Sequence, residues 1–138
     1  DVSKNALNIA KENAQFNDVK INFIQQDILK VDALPKVDLI VSNPPYVLNR
    51  EKKLMISNVL DYEPHSALFV SDDNPLLFYK KIADLAAKSL VKGGKLFFEI
   101  NEEFGKEIIV MLSDLSFVNI ALKKDINDKD RMIKATKN

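Results

Sequence analysis

The chain has 138 residues, 46% of them hydrophobic, which is enough for one core, and its balance of 20 basic against 20 acidic side chains disfavours tight binding to bare nucleic acid through a basic surface. The absence of cysteine excludes disulfides, thiolate zinc sites and cysteine nucleophiles. No apolar run approaches the roughly 20 residues of a membrane span and no signal core opens the chain, so one soluble domain in a cytoplasmic setting is expected.

Ser3 can cap a first helix carried by Ala6, Leu7, Ala10 and Ala14, ending near Asn17-Asp18. Lys20 to Gln26 alternates polar and apolar through Ile21 and Phe23, which predicts a short strand with Asp27 at its carboxyl end. Val37 to Val41 reads as a strand buried on both faces of a parallel sheet, and it runs directly into Ser42-Asn43-Pro44-Pro45-Tyr46. Residues 47–74 read as a long loop with a short helix. Pro75 opens a second long helix through Leu77, Phe78, Ile82, Leu85, Ala86 and Leu90, stopped by Gly93-Gly94.

Lys95 to Ile100 is a further strand, and Phe104, Ile108, Leu112 and Leu115 mark another amphipathic helix. Phe117 to Leu122 and Met132 to Thr136 are joined by a segment too short for a crossover, so they must run antiparallel. The sum is a doubly wound α/β sheet with a reversed edge, in which ligands sit beyond the carboxyl ends of the strands. Asp27, Asn43 and Glu99 fall near such ends. His65 is expected to be solvated, and the pair Asp72-Asp73 reads as a loop and capping feature with no metal.

Two prolines after an asparagine remove two backbone donors and fix φ twice, which makes a stiff loop. The Asn43 amide oxygen and a proline carbonyl can then accept both hydrogens of a planar NH2 group, while Tyr46 can stack on it. Accepting those hydrogens pushes lone-pair density onto a poor nitrogen nucleophile, so the loop suits in-line attack on an electrophilic methyl group.

Val41 to Tyr46 resembles the (N/D/S)PP(Y/F/W) signature of amino-methyltransferases, which have a Rossmann-like seven-stranded sheet. Glu63-Pro64 with Ala67-Leu68, and Asp1-Val2-Ser3 with Ala6-Leu7, Ala10 and Asn13, resemble elements of the HemK/PrmC family of release factor glutamine methyltransferases. Gly93-Gly94 with Glu99-Ile100, and Asp125 with Asp130-Arg131, extend the resemblance to the end of the chain.

The resemblance implies a Rossmann-like class I fold dependent on S-adenosyl-L-methionine, truncated at its N-terminus and closed by a C-terminal hairpin. The cofactor's product would be S-adenosyl-L-homocysteine. It implies ribose binding by Asp1 and adenine contacts from Asp27 and Ile28. Asn43, Pro44, Pro45 and Tyr46 become the catalytic and substrate-holding residues, with Asn43 also beside the cofactor; Glu63 and Arg131 are supporting candidates. The implied partners are peptide chain release factors, with no membrane and no nucleic acid. The amino group of adenine or guanine in DNA or RNA is the alternative substrate, and a non-catalytic binding module the alternative class.

Residues 1–138 thus read as part of a methyltransferase domain. Asp1 opens the chain without a Met just before a helix start, and the family's glycine-rich loop, first two strands and helical domain are expected upstream. The chain alone is expected to be inactive, and its exposed sheet edges favour self-association. Where the family has Gly and, three residues on, Gln after Glu99-Ile100, this chain has Asn101 and Phe104; the site is expected to be structural and the substitution to do little harm.

Overall fold

A computed structural model describes residues 1–54 and 64–138, and the chain divides into two units, residues 1–32 and 33–138. In the first unit Ser3 is extended (φ −81°, ψ 114°) and its hydroxyl accepts from the Ala6 amide at 3.2 Å. That cap starts helix α1, Lys4–Phe16, which stops at Asn17 where the Asn17 amide bonds back to the Asn13 carbonyl. Asp18, at φ 50°, then turns the chain.

The expected strand over residues 20–26 does not form. A strand is a property of a pair, and among the described residues one partner residue is available: Asp1 donates its terminal amine to the Ile24 carbonyl (3.2 Å) and accepts from the Gln26 amide (2.9 Å). These two bonds are a single parallel bridge. The Asp27 carboxylate follows it and caps a short 3₁₀ turn, Ile28–Lys30, by accepting from the Leu29 amide at 3.0 Å.

The second unit is built on a four-stranded sheet. In spatial order its strands are β1 (Val37–Ser42), β4 (Leu90–Glu99), β6 (Asp130–Lys137) and β5 (Phe117–Lys124), with β1 parallel to β4 and β6 antiparallel to both its neighbours. The terminal hairpin is as expected, but its reversed strand is inserted beside β4 and is not the edge. Two-residue strands β2 (Val47–Leu48) and β3 (Phe69–Val70) pair in parallel within the segment read as loop, and β3 directly follows a 4-residue helix α2 (His65–Leu68).

Helices α3 (Leu77–Ser89) and α4 (Gly105–Asp114) cover one face of the sheet. The period-2 alternation of β4 puts Leu96, Phe98 and Ile100 in that core, where Ile40 and Ile133 are their cross-strand or neighbouring companions and Tyr79, Leu85, Ile108 and Leu112 come from the helices. Each such side chain contributes about 1.5–3 kcal/mol by leaving water. The other face is open: Leu39 is 52% and Val41 71% exposed, so β1 is not buried on both faces as its sequence suggests.

Strand β4 also begins sooner than its glycines imply. Helix α3 ends at Ser89 and Leu90 already pairs with Val37, after which residues 91–94 bulge before Lys95 meets Leu39. Gly93 takes φ +80° there, and a side chain on Gly94 would press on the carbonyl oxygens of Val91 and Asp38. The glycines shape a bulge inside the strand; they do not stop the helix.

Candidate active site

Because β1 and β4 are parallel and Ser42 pairs with Phe98, the chain leaves β1 at Asn43 beside Glu99, at the carboxyl ends of both strands. Two-fold alternation past buried Ile100 then turns Glu99 and Asn101 to the same side, toward the departing loop. Pro44 is buried and anchors that loop, while Asn43 is exposed and its side chain has no hydrogen-bond partner among the described residues. An amide with both its acceptor and its donors open is free to meet a substrate.

Tyr46 is held at both ends. Its hydroxyl donates to Oε1 of Glu99 at 2.7 Å, and its carbonyl accepts from Nδ2 of Asn101 at 3.2 Å. Burial first, and then the Glu99 hydrogen bond and charge, push the Tyr46 phenol up to about 12, with Arg131 pulling the other way. Behind it the buried Tyr79 donates to the Glu99 carbonyl at 3.2 Å and stacks edge-on against Phe98, ring centroids 5.3 Å apart; burial raises its phenol as well.

Asn101 is 5% exposed, and its amide is fully used: Nδ2 also donates to Oε2 of Glu51 (3.2 Å), and Oδ1 accepts from the Glu103 amide (3.0 Å). Glu51 in turn accepts from the Leu48 amide at 2.7 Å. Asn101 therefore has a structural role, tying the exit of the Asn-Pro-Pro-Tyr loop to the end of β4. Arg50 fastens the same wall, its amide donating to Asp72 (3.2 Å) and its guanidinium to Glu103 (2.5 Å). Asp72 thus serves the loop, and α3 starts without a side-chain cap.

Glu51, Tyr79 and Arg50 were not legible as site residues. They carry no motif, and only the approach of separate segments gives them a role. Arg131 donates to Asp125 Oδ2 (3.1 Å) and to the Ile100 carbonyl (3.3 Å), while Asp125 also accepts from the amides of Asn127 and Lys129. The pair closes the β5–β6 hairpin against the end of β4, and these bonds, with Lys129 foremost, hold the Asp125 carboxyl below its usual range. Glu63 lies outside the described residues.

In the first unit the bridge at Asp1 sets the carboxylates of Asp1 and Asp27 at the same end of neighbouring segments. Oδ1 of Asp1 accepts from the Ser3 amide (2.7 Å), and Oδ1 of Asp27 from the Leu29 amide. Neither backbone bond uses the second oxygen of its acid, and Lys30 approaches that of Asp27 at 3.5 Å. Carboxylates of this kind can accept hydrogen bonds from hydroxyl or amino groups, and Ile28, next to Asp27 in the chain, is half-buried.

Parallel strands that end in an Asn-Pro-Pro-Tyr loop, with an antiparallel hairpin beyond, define a class I methyltransferase fold. The chain superposes over its full length on 60% of a methyltransferase from Pyrococcus furiosus, with a TM-score of 0.69 and 17% identity. Residues 1–68 match the methyltransferase small domain family. Two relatives are nearer in sequence, both release factor glutamine methyltransferases. The protein from Flavobacterium psychrophilum is 53% identical over 97% of this chain and 47% of its own length, and that from Bacteroides thetaiotaomicron is 44% identical over 99% and 50%. Over nearly its whole length the chain is similar to release factor glutamine methyltransferases, and it spans about half the length of the curated relatives it matches.

Proposed function

We propose that the protein carrying this chain transfers a methyl group from S-adenosyl-L-methionine to the side-chain amide nitrogen of the glutamine in the GGQ motif of peptide chain release factors. The observation that carries the reading is the unpartnered, exposed Asn43 amide on a proline-stiffened loop at the carboxyl end of β1. The 53% identity to a release factor glutamine methyltransferase supports the choice of substrate.

An amide nitrogen is a weak nucleophile because its lone pair is shared with the carbonyl. The Asn43 oxygen and a carbonyl of the Pro44-Pro45 pair accept its two hydrogens, which localises electron density on nitrogen and orients it. The bound cofactor supplies a methyl group on a positively charged sulfur. Tyr46 lies along the planar amide, and its phenol stays neutral at any physiological pH because it ionises only near 12. The nitrogen gains the methyl and gives one proton to solvent. Most of the barrier reduction is alignment and electrostatics. Asp1 and Asp27, with Ile28, hold the adenosine end of the cofactor.

The test is incorporation of labelled methyl by the full-length protein. We expect label in release factor, none in a variant whose GGQ glutamine is alanine, and none in DNA or tRNA. Asn43→Ala should lower the rate at least 100-fold while the fold is kept, since that side chain holds nothing else in place. Labelled nucleic acid with unlabelled release factor would sink the reading.

A further inference from the structure

We propose that Glu99 and Asn101 are positioning residues that grip Tyr46 at its hydroxyl and its carbonyl, and so fix the loop Asn43–Tyr46 that receives the amide. The proposal deepens the functional reading above and rests on it. Four observations converge. Glu99 and Asn101 flank buried Ile100 and therefore face one side. That side is where the parallel partner β1 releases its loop. The two bonds to Tyr46, 2.7 Å and 3.2 Å, act on opposite ends of one residue. Both grips are themselves braced, Glu99 through its carbonyl by Tyr79 and Asn101 by Glu51 and the Glu103 amide.

The division of labour follows from the bonding. The Tyr46 hydroxyl and carbonyl are both paired, whereas the Asn43 side chain has no partner among the described residues. A ring pinned at its hydroxyl keeps its face in one plane, and a pinned carbonyl fixes the peptide that follows Pro45. The two acceptors for the substrate amide then keep their spacing without any contact from Glu99 or Asn101 to the substrate. A misplacement of about 1 Å in such a constellation costs on the order of 100-fold in rate.

The experiment uses the full-length protein, release factor as substrate, and tyrosine labelled with carbon-13 at the ring carbon bearing the hydroxyl. Glu99→Ala and Asn101→Ala should each lower kcat at least tenfold with KM for S-adenosyl-L-methionine within twofold, because the loop they fix receives the amide and not the adenosine. Glu99→Gln keeps an acceptor and should recover most of the rate. In the same variant the Tyr46 carbon should titrate below its value of about 12, since the charge of Glu99, facing it along with Arg131 and Tyr79, is gone. Should Glu99→Ala fail to fold, Glu99→Asp carries the test: its carboxylate falls one carbon short, and the same tenfold loss is expected. Folded variants with kcat within twofold of the parent overturn the proposal, as does an unmoved Tyr46 titration. A parent protein that methylates no amide, while Tyr46 still answers to Glu99, defeats the functional reading and leaves the grip standing.

Discussion

Gly94→Ala tests how closely β1 and β4 approach at the bulge. A Cβ built there lies 2.9 Å from the Val91 carbonyl oxygen, 3.1 Å from that of Asp38 and 3.2 Å from Leu90 Cδ2. Two of the three neighbours are backbone and cannot swing away: the Val91 oxygen belongs to the bulge of β4 itself, which must reshape, and the Asp38 oxygen belongs to β1, which must draw back by a few tenths of an ångström to restore ordinary contact. Overpacking of this kind costs about 1–3 kcal/mol, against which alanine gains about 0.4–1 kcal/mol by narrowing the unfolded ensemble. The net expectation is a loss of about 1–2 kcal/mol, or roughly 3–8 °C in Tm for a chain of this size. Urea unfolding should show a lower midpoint at unchanged slope. Asp38 lies in β1, so its displacement is passed to the Asn43–Tyr46 loop and methyl transfer should fall too. Gly93→Ala is the control: its Cβ meets nothing within 4 Å, and the cost there comes from φ +80° alone. A Gly94→Ala protein as stable as its parent would refute the close approach.

Three further outcomes follow. Between pH 10 and 12 stability should decline, because the unfolded chain releases the Tyr46 proton near 10 while the folded one keeps it to about 12; below pH 10 this contribution is fully present, and Tyr46→Phe should flatten the decline by about 1 kcal/mol after allowance for partial exposure. Asn101→Gly should cost about 2–3 kcal/mol in denaturant titration, since the Tyr46 carbonyl and the Glu103 amide lose their partner together. In the 138-residue chain, Phe98→Ala should cost about 3–5 kcal/mol and Val41→Lys less than about 0.5, a contrast that follows from 2% against 71% exposure.

Local signals were the legible part of this sequence. Ser3 caps α1 and Asn17 ends it because both act through bonds to backbone a few residues away. The terminal hairpin is forced by the shortness of its connection. The Asn-Pro-Pro-Tyr loop is recognisable because proline stiffness is local too. What failed is what needs a partner. Residues 20–26 have the alternation of a strand, yet among the described residues only Asp1 pairs with their backbone. Gly93-Gly94 reads as a helix stop, and only the pairing of Leu90 with Val37 reveals a bulge within β4. Asn101 shows none of its partners in sequence, because the Tyr46 carbonyl and Glu51 that it binds are 55 and 50 residues away.

On the proposed reading, the loop also decides which substrates are refused, and glutamate in place of the GGQ glutamine is the sharpest case. Glutamine presents two N–H donors to two acceptors, the Asn43 oxygen and a proline carbonyl. Glutamate presents a carboxylate of nearly the same shape, so no steric filter applies. It would set oxygen against oxygen, strip a charge of water, and place that charge near the carboxylate of Glu99. Asn43 cannot rescue it by rotating its amide, since the proline carbonyl remains an acceptor in either orientation. Sites built to accept hydrogen bonds reject analogues that lack the donors by about 10⁴-fold or more. A release factor bearing GGE should therefore be neither methylated nor a competitive inhibitor at concentrations where the GGQ form saturates. Inhibition by the GGE protein at comparable concentration would place recognition elsewhere on the release factor and deprive the loop of its selective role.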